Sequence, residues 1–116
     1  MTIAEYVAHW LEIRKSDLAP STIARYRTLA RNQVLPHIGL VRLLELSPAR
    51  LAHLYEELAK ERGARGEYLQ SATICRVHAF LHVCMEHATV SGVLTNNPVD
   101  RVKPPTIRLT RRSRTA

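Results

Sequence analysis

A chain of 116 residues that is 46% apolar and only 5% aromatic can build one small domain with a mainly aliphatic core. Seventeen lysines and arginines against ten acids give a formal charge of +7, which favours a polyanionic partner, nucleic acid ahead of an anionic membrane surface. No apolar run approaches the ~18 residues of a membrane span, and the amphipathic start MTIAEYVAHW is not a signal peptide.

The first predicted helix covers residues 2–15. Thr2 and Glu5 have capping-box spacing, and Ile3, Val7, Trp10 and Leu11 recur on one face. Asp17 to Pro20 breaks it. The second helix is expected over 20–34, with Pro20 in the first turn and Ile23, Tyr26, Ala30 and Val34 facing the core. Pro36 disfavours helix at Leu35 and should end it there, and Gly39 permits a sharp turn. The connector LVRLLEL reads either as a short strand or as an extended packing segment. Ser47 and Pro48 supply the cap and first residue of a third helix, whose stripe is Leu51, Leu54, Tyr55 and Leu58 and whose stop is Gly63. After a loop at GARGEY, a fourth helix spans 70–91. It carries Ile74, Val77, Leu81, Cys84 and Ala88 on one face with Phe80 beside them, and Gly92 ends it. Asn96 to Pro98 marks a turn. Four helices with short connections make an all-α domain. Cys75 and Cys84 fall about 13 Å apart along one helix, too far for a disulfide, so the chain reads as cytoplasmic with reduced thiols.

The second helix contains no acid in the run APSTIARYRTLARNQ. At about 100° per residue, Ser21, Arg25, Thr28 and Asn32 form a stripe opposite Ile23, Tyr26 and Ala30. Short hydroxyls and long guanidinium groups on one face suit phosphate and base-edge contacts in a DNA major groove. The alternative is a solvated basic face. The fourth helix repeats the arrangement. Ser71 and Thr73 lie near its start, where the dipole favours phosphate, Arg76 and His82 lie off the core face, and Ala79 leaves room for close approach. Ser71 could equally cap the helix. Cys75, His78 and His82 are scattered around the helix and lack a distant second pair of ligands, so no metal and no cofactor is expected. Glycine-rich phosphate loops, nucleophile elbows and paired-carboxylate signatures are missing. Tyr6, Tyr26 and Tyr55 sit on or beside core stripes, and Tyr68 is placed in the loop.

In order along the chain, EYVAHWLEIR, then Thr22, Tyr26, the Leu35-Pro36 and Gly39 turn, Leu43, Leu46 and Ser47, then Thr73, Ile74, Arg76, Leu81, Ala88 and Asn97-Pro98, form a pattern. It resembles the core-binding, SAM-like domain of phage-integrase-type tyrosine recombinases from about Ile3 to Pro105. The resemblance implies a compact orthogonal four-helix SAM-like bundle over residues 1–105, with 106–116 a flexible basic tail or linker toward a catalytic domain that is not in this sequence. It implies a DNA-binding module of a site-specific recombinase, bacterial or phage-encoded and nucleoid-associated. Its partners would be double-stranded DNA, the catalytic domain and other protomers, with no membrane involved. Ser21, Thr22, Arg25, Ser71, Thr73 and Arg76 are nominated for DNA by position, Thr28 and His82 by helix angle, and Lys103 by its place at the domain exit. The family's arginine–lysine–histidine–arginine set and nucleophilic tyrosine have no counterpart here, so the chain is expected not to cleave DNA by itself and reads as an excised domain or truncated gene product. Ala19 stands where the family often has a capping serine. The rival reading is a basic helical protein-interaction domain without specific DNA binding.

Overall fold

The chain starts by saturating a helix end. Thr2 caps α1 (Ile3–Arg14). Its Oγ1 accepts from the Glu5 N–H at 3.2 Å, and its own N–H donates to Glu5 Oε1 at 2.9 Å, the reciprocal capping box read from the sequence. Two further donors of the first turn find partners at and just before the connector: Ile3 N–H donates to Val41 O at 2.8 Å and Ala4 N–H to Gly39 O at 3.0 Å. The opening donors of α1 therefore reach partners inside the fold. This is what the LVRLLEL connector does. It is neither a full strand nor free loop, but a single antiparallel bridge, Thr2 to Arg42, followed by a 3₁₀ turn, Leu43–Glu45. The computed structural model describes the backbone of residues 1–60 and 67–103 and the side chains of 1–60 and 72–103.

The second helix departs from its predicted stop. α2 (Pro20–Leu29) passes into a π turn, Ala30–Val34, and then into a further α-helical segment, α3 (Leu35–Ile38). Leu35 stays helical at φ −65° and ψ −34°, and its N–H donates to Ala30 O, five residues back. Pro36 has no N–H and its ring clashes with the carbonyl four residues back in a regular helix. The wider π turn changes the bonding register ahead of it, and Pro36 then occupies an early position of α3, where an N–H is not needed. The rod thus runs on to Ile38, and α3 packs against α1. Gly39 closes it at an ordinary φ of −58°. Its requirement is space, not handedness, since a Cβ there would lie 2.6 Å from Leu35 O.

α4 (Pro48–Lys60) begins at Ser47, whose Oγ accepts from Arg50 N–H at 3.1 Å. The stop at Gly63 lies outside the described residues, as does the tail beyond Lys103. α5 (Glu67–Val90) starts one turn earlier than expected. Glu67, Tyr68, Leu69 and Gln70 are helical, so Tyr68 is not a loop residue and Ser71 is the fifth residue of the helix, not its cap. Glutamate, leucine and glutamine favour helix, and this preference outweighs the loop signal of the glycines before them. α5 ends in a Schellman arrangement: Gly92 has φ +86°, Gly92 N–H donates to Thr89 O, and Val93 N–H to Ala88 O. A 3₁₀ turn, Pro98–Arg101, then leads out, with Asn97 as its cap.

Among the described residues, four helical rods, α1, the α2–π–α3 rod, α4 and α5, enclose one core. Every predicted stripe residue of α1, α4 and α5 is buried, and Tyr6, Leu29 and Met85 join them. Among the described residues there is no strand element and no helix long and apolar enough to cross a membrane. Cys84 is fully buried, and burial pushes its thiol up to about 12, so it is an inert core residue at neutral pH.

Candidate nucleic-acid interface

Aromatic residues are few, and three of them meet at one point. Trp10 of α1, Tyr26 of α2 and Phe80 of α5 have ring centroids 5.2 to 5.9 Å apart in all three pairings. Tilted aromatic pairs at these distances add packing and quadrupole attraction. They fix α2 and α5 against each other and against α1.

That junction decides where the basic residues go. Arg25 precedes Tyr26 in sequence, and Arg76 lies one turn before Phe80. Both reach the rim of a single groove between α2 and α5, of about 420 Å³, lined by Arg25, Tyr26, Leu29, Arg76, Ala79 and Phe80. Tyr26 and Phe80 form an apolar floor, Ala79 keeps one wall low, and among the described residues no acid lines it. Both arginines are exposed, and among the described residues neither has an ion-pair partner. Two unpaired guanidinium groups beside an apolar wall concentrate positive potential, which draws an anion.

The other nominated residues divide around this groove. Ser21 is exposed and Thr22 half-buried in the first turn of α2, where Ala19 contributes no side-chain cap and no acid is present. That end keeps its positive dipole for an outside anion. Thr28 is exposed on the predicted stripe, but its hydroxyl donates to Ala24 O at 3.0 Å, leaving only lone pairs to offer. Thr73 is half-buried one turn before Arg76 on α5, and Ser71 lies on the same helix. Lys103 is exposed beyond the exit turn. His82 is not brought to the groove. It lies about 120° around α5 from Arg76, and its Nε2 is 2.9 Å from Asp100 Oδ1.

A second groove, of about 360 Å³, runs between α1 and α2 and is lined in part by Ala4, Ala8, Glu12, Arg27 and Arg31. Here the charge is partly compensated. Lys15, hydrogen-bonded to Glu12, and then Arg27 hold the Glu12 carboxyl below its ordinary value. The sequence stripe did not separate Arg27 from Arg25 by environment. Helix angle was the available signal, since Arg27 falls about 200° from Arg25.

Two histidines serve the interior. Tyr55 of α4 is 2.8 Å from His78 Nδ1, and Tyr6 of α1 is 2.7 Å from His87 Nδ1, so each pair joins α5 to a neighbour. Burial pushes both phenols up, Tyr6 to about 12. Neither is poised as a nucleophile at neutral pH.

The family model described as the N-terminal SAM-like domain of phage integrase matches residues 2–59. The chain belongs to that family. The matched span of this SAM-like domain runs from the cap of α1 through nearly all of α4, and the matched module is the non-catalytic N-terminal part of its family. A solution NMR structure of a fragment, 61–160, from Clostridium leptum is similar in fold, with a TM-score of 0.70 at 19% identity over 91% of this chain and 90% of that one. No curated protein matches the chain. The fold likeness extends beyond the matched 58 residues to α5, the helix that completes the SAM-like bundle and carries Arg76.

Proposed function

We propose that this SAM-like domain is the DNA-gripping module of a site-specific tyrosine recombinase, laying α2 and α5 over the major groove of duplex DNA while a separate C-terminal domain performs strand exchange. The observation that carries this reading is the convergence of Arg25 and Arg76, from two helices, on one groove whose described lining holds no acid. Arginine suits both phosphate and guanine edges, because its planar fork donates two parallel bonds. In this reading Ser21 and Thr22 contact phosphates at the start of α2, and Ser71 and Thr73 contact them from the second turn of α5. Thr28 and Lys103 flank them, and His82, held by Asp100, makes no DNA contact. Other protomers and the catalytic domain are the partners, and cleavage chemistry belongs to that domain.

The test is fluorescence anisotropy of the chain on labelled duplex DNA, titrated across salt. Binding should weaken steeply with salt, because each neutralised phosphate releases counterions. Replacing both Arg25 and Arg76 by alanine should lower the salt slope by about 1.8, close to 0.9 per phosphate contact. Replacing Arg42 and Arg50 by alanine removes the same charge elsewhere and should change the slope far less. Equal losses in the two double variants would show that net charge alone drives binding. No binding at low salt would favour the protein-interaction reading.

A further inference from the structure

The exit turn meets α5 in a polar cluster that DNA binding leaves unused. His82 Nε2 lies 2.9 Å from Asp100 Oδ1. Asn97, buried at 4% exposure, donates through Nδ2 to His82 O and to Glu86 Oε1, each at 3.1 Å, and accepts from Val99 N–H at 3.0 Å. One ligand atom each from His82, Glu86 and Asp100 fall within 4.8 Å of one another.

We propose that His82, Glu86 and Asp100 form a site for a divalent transition metal of the zinc class, clamping the exit turn to α5. The donor set is one imidazole nitrogen and two carboxylate oxygens, which borderline cations accept. Its geometry comes from two elements. His82 and Glu86 are one turn apart and project from the same side of α5, while the Pro98–Arg101 turn delivers Asp100. Ligand atoms about 2.1 Å from a tetrahedral zinc lie about 3.4 Å from one another. His82 and Asp100 are already inside that separation, and the cluster needs to close by roughly 1.4 Å, which side-chain rotation can supply. Glu86 and Asp100 are exposed, so their side chains can turn and water can complete the coordination. Asn97 is the supporting partner. Its amide orients the Glu86 carboxylate through Oε1 and leaves Oε2 open to the ion. Cys75, His78 and His82 all lie on α5, whereas Asp100 reaches His82 from the exit turn, 18 residues on. His78 is instead engaged with Tyr55.

The experiment is calorimetric titration of the EDTA-treated, Cys75→Ser chain with zinc chloride, followed by NMR of the histidine ring nitrogens. One equivalent should bind, and the His82 Nε2 resonance should shift while the other five histidines stay in place. Glu86→Gln and Asp100→Asn preserve shape and should each weaken zinc by about tenfold or more, with circular dichroism checking that both remain folded. The Arg25→Ala, Arg76→Ala double variant should bind zinc as the parent does, which separates this site from the DNA reading. No saturable binding at millimolar zinc, or binding undiminished in both carboxylate variants, overturns the proposal.

Discussion

The two ends of polar chemistry on α5 contrast. At the groove with α2, Arg25 and Arg76 stand exposed, and among the described residues no acid lines the site. At the exit turn, His82, Glu86, Asn97 and Asp100 are bonded to one another. A bonded cluster contributes to holding the fold, because its groups already have partners when nothing else is bound. Unpaired like charges on a rigid aromatic floor contribute little to folding and leave their electrostatic energy for a ligand. The difference predicts that stability and DNA affinity respond to different residues of the same helix.

The largest expected break in this contrast is Phe80→Ala. It removes a fully packed ring that is both core and groove floor, and should cost about 3–5 kcal/mol in urea unfolding, along with DNA binding. A loss below ~1 kcal/mol would mean the aromatic junction does not hold α2 to α5. Next comes Asn97→Ala, which removes the cap of the exit turn and the two hydrogen bonds that Asn97 donates to acceptors on α5, for about 1–3 kcal/mol. DNA affinity at fixed folded fraction should hardly change. Arg25→Ala and Arg76→Ala come last for stability, within about 0.5 kcal/mol of the parent, while they come first for DNA binding. Destabilisation by either arginine variant comparable to Asn97→Ala would erase the contrast.

A pH series sharpens the comparison on the α4 side. Burial, reinforced by His82 and opposed by Asp100, holds the His78 imidazole below its ordinary value. The neutral ring can accept the Tyr55 hydroxyl proton at Nδ1. The unfolded chain therefore takes up a proton first as pH falls through ~6.5, and stability is lost between there and the lowered folded value. The contribution is intact above the unfolded value. Thermal melting from pH 7.5 to 5 should show this acid loss, and His78→Asn, which keeps an acceptor near Nδ1, should flatten it. An unchanged slope would assign the acid sensitivity to another group.

Much of this was legible in the chain because it is local. Thr2 with Glu5, Ser47 before Pro48, and Gly92 after α5 are end signals whose hydrogen bonds span only a few residues. The apolar stripes needed only helical periodicity. The extension through Pro36 was not legible, because a π turn depends on how Ala30 to Val34 pack, and no residue type marks it. The early start of α5 is not legible because Gly63 and Gly66 give a loop signal right up to Glu67.

Taken alone, the sequence determined that this is a basic, all-α chain of the integrase SAM-like kind, and that Arg25 and Arg76 lie off the apolar stripes of their helices. Helix angle and composition are properties of neighbouring residues, so they can be read without the fold. Only the tertiary structure decided that Arg25 and Arg76 share one groove while His82 turns to Asp100. Those pairings span 51 and 18 residues, and they depend on how Trp10, Tyr26 and Phe80 lock three helices together and on where Asn97 sends the chain after α5.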